Sequence, residues 1–289
     1  MGSDKSVRTF IYNSQVAKKR IEPQQILPFD PGKKNETVKV YLNDAIAFLK
    51  NLPDNSIDLL ITDPAYSGMN QHLKLGKGRI VGDYKNKESD GGWFQEFHDT
   101  PENYDLFLTE THRVLKNDSH LFLMFDSFSM LTLGPLVRGH FNVKNIITWD
   151  KINIGMGHYF RRQSEFILFA CKGKKSLSRR DIPDIWRIKR IHNAKYPTQK
   201  PVELFEAMIA SSKPKNVEDF IVCDPFVGSG SSAIAALKQN CRFIGSDISP
   251  EAINYTKERV ENFVEFGADI FQPKKASVIE LQKPFWEQT

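Results

Sequence analysis

The stretch DPFVGSGSSA, residues 224–233, decides the fold, because it lies between a predicted β-strand and a predicted α-helix. Gly228, Gly230 and Ala233 fit the pattern G-x-G-x-x-A. Glycine lets the backbone bend tightly and approach a ligand, and the N–H groups at the start of the following helix point toward that ligand. Asp247 ends the next predicted strand about 20 residues further on, where a carboxylate can bind a ribose diol. The stretch therefore predicts a site for a nucleoside-containing cofactor.

Asp224 narrows the choice of cofactor, because it precedes the glycines at the tip of its strand. A carboxylate at that point repels a pyrophosphate and attracts a cationic amino-acid group such as that of S-adenosylmethionine. A nicotinamide dinucleotide is the alternative cofactor. In a purely structural alternative, Asp224 and Asp247 only cap the helices that follow them.

Strands and helices are predicted in alternation on both sides of this stretch, from Val38 to Phe263. Such alternation is typical of an α/β fold with a doubly wound, mostly parallel sheet. A chain of 289 residues, 40% of them hydrophobic, can build one large domain of this kind. We predict an N-terminal arm at residues 1–36, a main domain at 37–270 with an inserted loop at 67–100 and a short basic segment at 171–195, and a C-terminal tail at 271–289.

The composition excludes several classes of protein. The apolar content excludes a wholly disordered chain, and the longest apolar runs are far shorter than the roughly 20 residues of a membrane span. Cys171, Cys223 and Cys241 cannot form a disulfide framework and are not spaced as zinc ligands. We therefore expect a cytoplasmic protein without a metal or a membrane contact. The net charge of +5 is compatible with a polyanionic partner.

A second motif, TDPAY at residues 62–66, directly follows a short apolar strand. Open α/β sheets bind ligands beyond the carboxyl ends of their strands, so this tip should face the same crevice as the glycine turn. The Asp63 carboxylate and the Pro64 carbonyl could accept the N–H groups of an exocyclic amine, and Tyr66 could stack on its ring. Taken alone, the four residues from Asp63 favour an ordinary strand-ending turn over a binding site.

These motifs together resemble those of the beta class of S-adenosylmethionine-dependent DNA amino-methyltransferases, whose motif order is permuted. Residues 63–66 are similar to the D-P-P-Y tetrad of that class, and FVGSG at 226–230 is similar to its F-x-G-x-G motif. YPTQKPVEL at 196–204 resembles H-P-T-Q-K-P-x-E-L, and residues 42–58 resemble the segment that leads into the tetrad. The sequence departs from the family at Asn43, Ala65 and Tyr196, which replace glycine, proline and histidine. The resemblance implies a class I methyltransferase fold of the Rossmann-like type.

The resemblance also assigns roles to the matched positions. It implies that Asp224 binds the methionine ammonium group, Asp247 the ribose hydroxyls and Asp44 the adenine amine, while Thr198 and Lys200 close over the methionine end. The implied catalytic residues are Asp63, Pro64 and Tyr66. The implied cofactor-binding residues are Asp44, Ala45, Asp63, Thr198, Lys200, Asp224, Pro225, Phe226, Gly228, Ser229, Gly230, Asp247 and Ile248.

The implied reaction is methyl transfer from S-adenosylmethionine to the exocyclic N6 of a flipped adenine in double-stranded DNA. In the family, adenine enzymes mostly carry Asp at the position of Asp63, and N4-cytosine enzymes mostly carry Ser. Asp63 therefore favours adenine N6, and N4 of cytosine is the alternative target. Cytosine C5 methylation needs a cysteine nucleophile, usually in a Pro-Cys pair. No proline precedes any of the three cysteines, so this reaction is excluded. A non-catalytic DNA-binding subunit is the alternative from another class, because Ala65 alters the tetrad.

Basic residues crowd the segment at 171–195, where we expect phosphate contacts beside the target pocket. This segment is short for target recognition, so a second copy of the chain or a partner subunit is a further candidate. The predicted DNA-binding residues are Arg161, Arg162, Lys174, Lys175, Arg179, Arg180, Arg187, Lys189 and Arg190.

Overall fold

A computed structural model of the chain describes residues 37–64, 100–155, 159–192, 194–196 and 198–271. The predicted N-terminal arm, all but the last residue of the inserted loop, the predicted tail beyond Phe271, and Ala65 and Tyr66 lie outside the described residues. Within the described ranges, no helix is both long enough and apolar enough to cross a membrane.

The described residues form eight strands and six helices. The strands are β1 Val38–Leu42, β2 Ile57–Thr62, β3 Leu115–Phe125, β4 Asn142–Asp150, β5 Ser164–Lys172, β6 Ile185–Arg187, β7 Ile221–Asp224 and β8 Arg242–Asp247. The helices are α1 Ala45–Lys50, α2 Pro101–Val114, α3 Ser127–His140, α4 Val202–Ser212, α5 Ser231–Lys238 and α6 Pro250–Phe266.

Short polar side chains fix where most of these helices begin. Asp44, Thr100, Asp126 and Ser249 accept hydrogen bonds from the N–H groups of the first turns of α1, α2, α3 and α6. Helix α6 ends at Gly267, which adopts the left-handed conformation that glycine tolerates best.

All strands belong to one sheet in the order β1-β8-β7-β2-β3-β5-β4-β6. β5 pairs antiparallel with both β3 and β4, and the other pairs are parallel. The predicted mostly parallel α/β sheet is therefore confirmed. β6 is not foreseen by the sequence analysis, because its three residues lie in a basic segment without an alternating pattern.

Helices cover both faces of the sheet, which makes the fold doubly wound. Apolar side chains of α1, α2 and α3 pack on one face, with Phe48, Phe107 and Val137 buried there. Those of α4, α5 and α6 pack on the other face, with Met208 and Ile234 among the buried residues. Strands covered on both faces need nearly continuous apolar sequence, as β2 and β7 have.

The chain leaves β2 and β7, which are neighbours, in opposite directions. From β2 it proceeds through α2 to β3, and from β7 it proceeds through α5 on the other face to β8. Such a reversal opens a crevice at the carboxyl ends of the two strands, where doubly wound sheets bind their ligands. The fold therefore places the site between β2 and β7.

Gly245 in β8 packs directly against the end of β7 and the glycine turn. A Cβ atom at Gly245 would lie 2.4 Å from Val227 Cγ2 and 2.6 Å from the Asp224 carbonyl oxygen. We expect Gly245→Ala to lower the free energy of unfolding by about 1–3 kcal/mol, because the backbone must shift to admit the methyl group. Urea denaturation measures this change.

Gly139→Ala is the matched control, because a Cβ atom there meets nothing within 4 Å and the residue lies in α3. Alanine at that position should leave stability unchanged or raise it by up to about 1 kcal/mol. Equal effects of the two substitutions would contradict the close packing inferred at Gly245.

Candidate functional site

Six strands that run in the same direction end in, or are closely followed by, an aspartate. We call this end of the sheet the carboxyl edge and the other end the amino edge. In sheet order the aspartates are Asp44, Asp247, Asp224, Asp63, Asp126 and Asp150. The carboxyl edge is therefore a row of acidic groups, which favours a cationic ligand.

Asp224 lies at the end of β7 and is 1% exposed. Its Oδ1 accepts hydrogen bonds from Thr62 Oγ1 at 2.7 Å and from the Phe226 N–H at 2.9 Å, and its Oδ2 accepts one from Ser232 Oγ at 2.6 Å. Burial raises the pKa of this carboxyl to about 7, although the bonds from Ser232 and Thr62 oppose the rise. The Thr62 bond joins the end of β2 to the end of β7 across 162 residues of sequence.

The glycine turn after β7 adopts a conformation that requires glycine. Gly228 and Gly230 have φ angles of +50° and +77°. A Cβ atom at Gly230 would lie 2.8 Å from two side-chain atoms of Thr256, whose hydroxyl donates to the Gly228 carbonyl at 3.0 Å. The Gly228 N–H donates to Asp247 Oδ2 at 2.8 Å, so the turn and the end of β8 are one hydrogen-bonded unit.

Arg259 on α6 holds this turn from behind and is not foreseen by the sequence analysis. Its side chain is fully buried, and it donates to the Ser229 carbonyl at 2.8 Å and to Ser231 Oγ at 3.0 Å. Its other nitrogens pair with both carboxylate oxygens of Asp269, at 3.0 and 2.6 Å. A signal exists in the sequence, because Arg259 lies among the apolar positions of a helix, where a charge must be paired.

The ends of β1 and β8 bring three further predicted cofactor residues to the crevice. The Asn43 N–H donates to the Asp247 carbonyl at 3.0 Å. Asp44 Oδ1 accepts from the N–H groups of Ile46 and Ala47, both at 3.0 Å, so Asp44 also caps α1. Ala45 is buried in this turn. Ile248 is half-buried directly after Asp247.

The remaining cofactor residues predicted on the turn lie at the carboxyl edge, directly after β7. Pro225 is buried, and its carbonyl accepts from Ser246 Oγ at 3.2 Å. Phe226 packs edge-on against Phe107 of α2, with ring centroids 5.7 Å apart. Ser229 lies within the turn and is buried.

Asp63, at the end of β2, forms an ion pair with Lys200. Lys200 Nζ also lies 3.5 Å from Glu165 Oε2, and Lys151 Nζ lies 3.0 Å from Glu165 Oε1. Partial burial raises the pKa of Asp63 and Glu165 adds to the rise, whereas Lys200 opposes it. Pro64 is buried next to Asp63. Tyr66 lies outside the described residues, so its predicted stacking role stays a prediction.

Lys200 therefore contacts the predicted catalytic carboxylate, a partner that the resemblance did not imply. Its neighbour Thr198 is exposed and has a φ of +58°, which is unusual for a β-branched residue. Gln199 is buried, and its Oε1 accepts from Tyr255 Oη at 3.1 Å while its Nε2 has no partner among the described residues. The TQKP block thus brings to the same edge an ammonium group and an amide nitrogen that has no partner among the described residues.

The comparison with known families identifies the chain. A family described as DNA methylase, of the N6/N4 type, matches residues 57–258, which is more than half of the chain and includes the ends of β2, β7 and β8. The chain belongs to the DNA methylase family. The prediction of a DNA methyltransferase from the motifs is thereby confirmed.

Curated relatives agree with this assignment. Type II methyltransferase M2.MboI of Moraxella bovis is 27% identical, covering 88% of this methylase and 97% of that protein. Type II methyltransferase M.HpaI of Haemophilus parainfluenzae is 31% identical, covering 78% and 74%. DNA adenine methyltransferase YhdJ of Escherichia coli strain K12 is 26% identical, covering 86% and 92%.

Solved structures share the fold of the methylase. The M1.HpyAVI–SAM complex superposes with a TM-score of 0.55 at 22% identity, covering 77% of this chain and 99% of that one. The cytosine-N4-specific PvuII DNA methyltransferase superposes with a TM-score of 0.55 at 13% identity, covering 80% and 92%. The predicted methyltransferase fold is confirmed by these likenesses.

The cations predicted to contact DNA do not lie together in the methylase. β5 starts at the carboxyl edge, because its Phe166 pairs with Phe125 at the end of β3. It ends at the amino edge, because its Lys172 pairs with Ser119 in the first half of β3. Lys174 and Lys175 follow β5 and therefore lie at the amino edge, about 20 Å from the site at roughly 3.3 Å per residue. The expectation that this part of the basic segment lies beside the target pocket is wrong, because it did not foresee the antiparallel strand.

Arg179 and Arg180 lie near that amino edge as well. Ser178 donates to the carbonyl of Ala210 through its hydroxyl, at the end of α4 that is distant from Lys200. Arg179 pairs with Asp181. The structure does not bring these two arginines to the site.

The other predicted cations lie at the carboxyl edge. Arg187 Nε donates to Asp150 Oδ2 at 3.1 Å, and Lys189 and Arg190 follow it where β6 ends. Arg162 stacks 4.9 Å above the Phe128 ring next to Asp126, and Arg161 Nε donates to the Gly155 carbonyl at 2.7 Å. The carboxyl edge of the methylase thus carries five of the predicted cations, which we call the basic rim: Arg161, Arg162, Arg187, Lys189 and Arg190.

Among the described residues, no group of three or more His, Cys, Asp or Glu side chains is arranged to hold a metal ion.

Asp224→Asn is expected to stabilise the ligand-free methylase at pH 8. The amide oxygen can keep the bonds from Thr62 and the Phe226 N–H, its NH₂ group can donate to Ser232, and no buried charge is left. The folded pKa of about 7 lies above the ordinary value of 3.8, so the wild type loses stability relative to the variant as the pH rises through this window.

Thermal melts from pH 4 to pH 8 measure this difference. The raised pKa corresponds to several kcal/mol at pH 8, at roughly 1.4 kcal/mol per pH unit. The gain in Tm at pH 8 should therefore be on the order of ten degrees, since about 2–4 °C corresponds to 1 kcal/mol in a protein of this size, and it should vanish near pH 4. A variant that is less stable than the wild type at pH 8 would contradict the account of Asp224.

Proposed function

We propose that this DNA methylase transfers the methyl group of S-adenosylmethionine to the exocyclic N6 of an adenine in double-stranded DNA. One observation carries the proposal. Asp63 and Asp224, at the ends of neighbouring strands β2 and β7, face one crevice and are connected through the hydrogen bond between Thr62 and Asp224. A group that accepts an amine and a group that binds a cationic cofactor are thereby adjacent.

The residues around the crevice fit S-adenosylmethionine. The carboxylates of Asp224 and Asp247 suit its ammonium group and its ribose diol, and the acidic row as a whole suits its sulfonium charge. Asn43 Nδ2 and Gln199 Nε2 are buried donors without partners among the described residues, as expected of groups that await a ligand. The M1.HpyAVI structure was solved with S-adenosylmethionine bound, which supports the same cofactor here.

Adenine is favoured as the target base for two reasons. The curated relative YhdJ is named a DNA adenine methyltransferase. The first residue of the tetrad is Asp63, and the resemblance associates Asp at this position with adenine enzymes. The cytosine-N4-specific PvuII enzyme shares only the fold, at 13% identity.

Asp63 and Pro64 would activate the adenine amine. The N6 lone pair is delocalised into the ring, so the free amine is a poor nucleophile. Among the described residues, Asp63 Oδ2 pairs with Lys200 and Oδ1 carries no hydrogen bond, so Oδ1 can accept one N6–H while the Pro64 carbonyl accepts the other. These two bonds would draw N6 toward tetrahedral geometry and orient its lone pair.

When bound, S-adenosylmethionine would supply an electrophilic methyl group on its sulfonium. The N–C bond would form as the S–C bond breaks, and sulfur would keep the electron pair. Asp63 Oδ1, which accepts one N6–H, would take the proton that N6 releases and pass it to solvent. Asp63 and Asp224 then stabilise the positive charge that passes from one ligand toward the other. The adenine must leave the duplex to reach this crevice, which costs a few kcal/mol. Stacking of the flipped base on Tyr66 would offset part of that cost.

The basic rim would hold the phosphates on either side of the flipped base. Its four arginines and one lysine lie at the same edge as Asp63, whereas the acidic crevice itself repels a polyanion. A second copy of the chain or a partner subunit would extend this short recognition surface.

Asp63→Ala should abolish methyl transfer while cofactor binding survives. The substitution removes the acceptor for the N6–H but leaves Lys200 paired with Glu165, so the crevice keeps its shape. Incorporation of tritiated methyl groups into DNA measures the activity, and isothermal titration measures S-adenosylmethionine affinity. Digestion of the DNA to nucleosides and mass analysis should find N6-methyladenine for the wild type.

Full activity of Asp63→Ala would refute the role of this carboxylate. If the digest contains N4-methylcytosine and no N6-methyladenine, the target base is cytosine, and the rest of the proposal still holds. Tight binding of NAD together with no binding of S-adenosylmethionine would overturn the proposal entirely.

The position of the basic rim predicts which cations contact the DNA phosphates. The double variant Arg187→Ala, Lys189→Ala should weaken binding and make the slope of log K against log salt shallower by about 0.9 for each phosphate contact that is lost. The matched control, Lys174→Ala with Arg180→Ala, removes the same charge at the amino edge and should leave the slope near the wild-type value. The reverse result would place the DNA on the amino edge.

A further inference from the structure

Four side chains of alternating charge form a continuous cluster beside the crevice. They are Lys151, Glu165, Lys200 and Asp63, which we call the charged cluster. Lys151 Nζ lies 3.0 Å from Glu165, Lys200 Nζ lies 3.5 Å from the other oxygen of Glu165, and Lys200 pairs directly with Asp63. The four residues come from the ends of β2 and β4, the start of β5 and the loop before α4.

We propose that Lys200 is the counter-ion that keeps Asp63 ionised and turns its free oxygen toward the adenine amine, and that Glu165, anchored by Lys151, is the positioning residue for Lys200. This inference rests on the proposed function and adds to it two residues, Lys151 and Glu165, that no motif of the sequence indicates. It also gives Lys200 a role at the catalytic carboxylate and not only at the cofactor.

The surroundings of Asp63 explain why a counter-ion is needed. Burial favours its protonated form, and so does the nearby carboxylate of Glu165. Lys200 is the cation that opposes them. A protonated Asp63 could still touch the amine, but it would be a weaker acceptor for the N6–H.

The negative charge of Glu165 is itself balanced by two lysines, Lys151 and Lys200, each of which lies next to one of its oxygens. Burial works against its ionisation, but Lys200 and Lys151 outweigh burial and hold the pKa of Glu165 below its usual value. Asp63 and Glu165 in turn outweigh burial at Lys200 and hold the pKa of its ammonium group above the usual value. The cluster as a whole is neutral, so it fixes the position of an ammonium group without adding net charge next to a cationic cofactor.

The test is the pH dependence of single-turnover methylation by the preformed complex with saturating S-adenosylmethionine. Saturation removes any contribution of Asp224 through cofactor affinity. Lys200→Met should move the acidic limb of the rate profile upward by about one to three pH units, since an opposite charge at this distance lowers a carboxyl pKa by that amount. Lys200→Arg should restore the wild-type limb, and Lys174→Met at the amino edge should leave it unmoved.

Glu165→Gln distinguishes a counter-ion from a structural role. In the Lys200→Met background it removes a repelling carboxylate, so it should move the acidic limb back toward the wild-type pH. Loss of structure could lower the rate but could not produce that return. A lower rate with an unmoved limb in Lys200→Met, or a further upward shift on adding Glu165→Gln, would overturn the inference.

A second measurement covers variants that are too slow to assay. NMR titration of protein labelled with ¹³C at the aspartate carboxyl, with Asp63→Asn to assign the signal, reports the ionisation of Asp63 without any turnover. Its midpoint should be higher in Lys200→Met than in the wild type, and an equal midpoint would overturn the inference. Failure of the wild type to methylate DNA would instead count against the proposed function.

Discussion

The hydrogen bond from Thr62 to Asp224 is the interaction on which the site depends. A carboxylate that is almost fully buried is costly unless donors surround it, and here the donors come from β2, the glycine turn and α5. Satisfying Asp224 therefore fixes three elements relative to one another. Because Asp63 directly follows Thr62, the same bond sets the distance between the carboxylates of Asp63 and Asp224.

Charge is distributed over the sheet according to the direction of its strands. The carboxyl edge carries the row of aspartates, and each of them is held by a helix N-terminus, a backbone amide, a hydroxyl or a cation. This arrangement suits a cationic cofactor and opposes a polyanion, so in the proposed function the DNA would be held by the basic rim at the same edge. The antiparallel direction of β5 carries the other half of the basic segment to the amino edge.

Much of the fold was predictable, because buried parallel strands have compact apolar sequences and most helices begin at a capping side chain. The glycine turn, Asp224, Asp247 and Asp63 were found from local patterns, and the structure brings them to one edge. The partners of these residues were not found, because a pairing such as Lys200 with Glu165 depends on which strand ends meet. The predicted position of Lys174 and Lys175 was wrong for the same reason, since a local run of charge does not reveal the direction of the strand before it. Arg259 could have been found as a lone charge among the apolar positions of its helix.

A crystal structure of the protein with S-adenosylmethionine tests the central claim most directly, because that claim is that the ends of β2 and β7 form one site. The account predicts the ammonium group of the cofactor at Asp224, its ribose at Asp247 and its methyl group facing Asp63. A cofactor bound away from the crevice between β2 and β7, or bound there with its methyl group turned away from Asp63, would contradict the account.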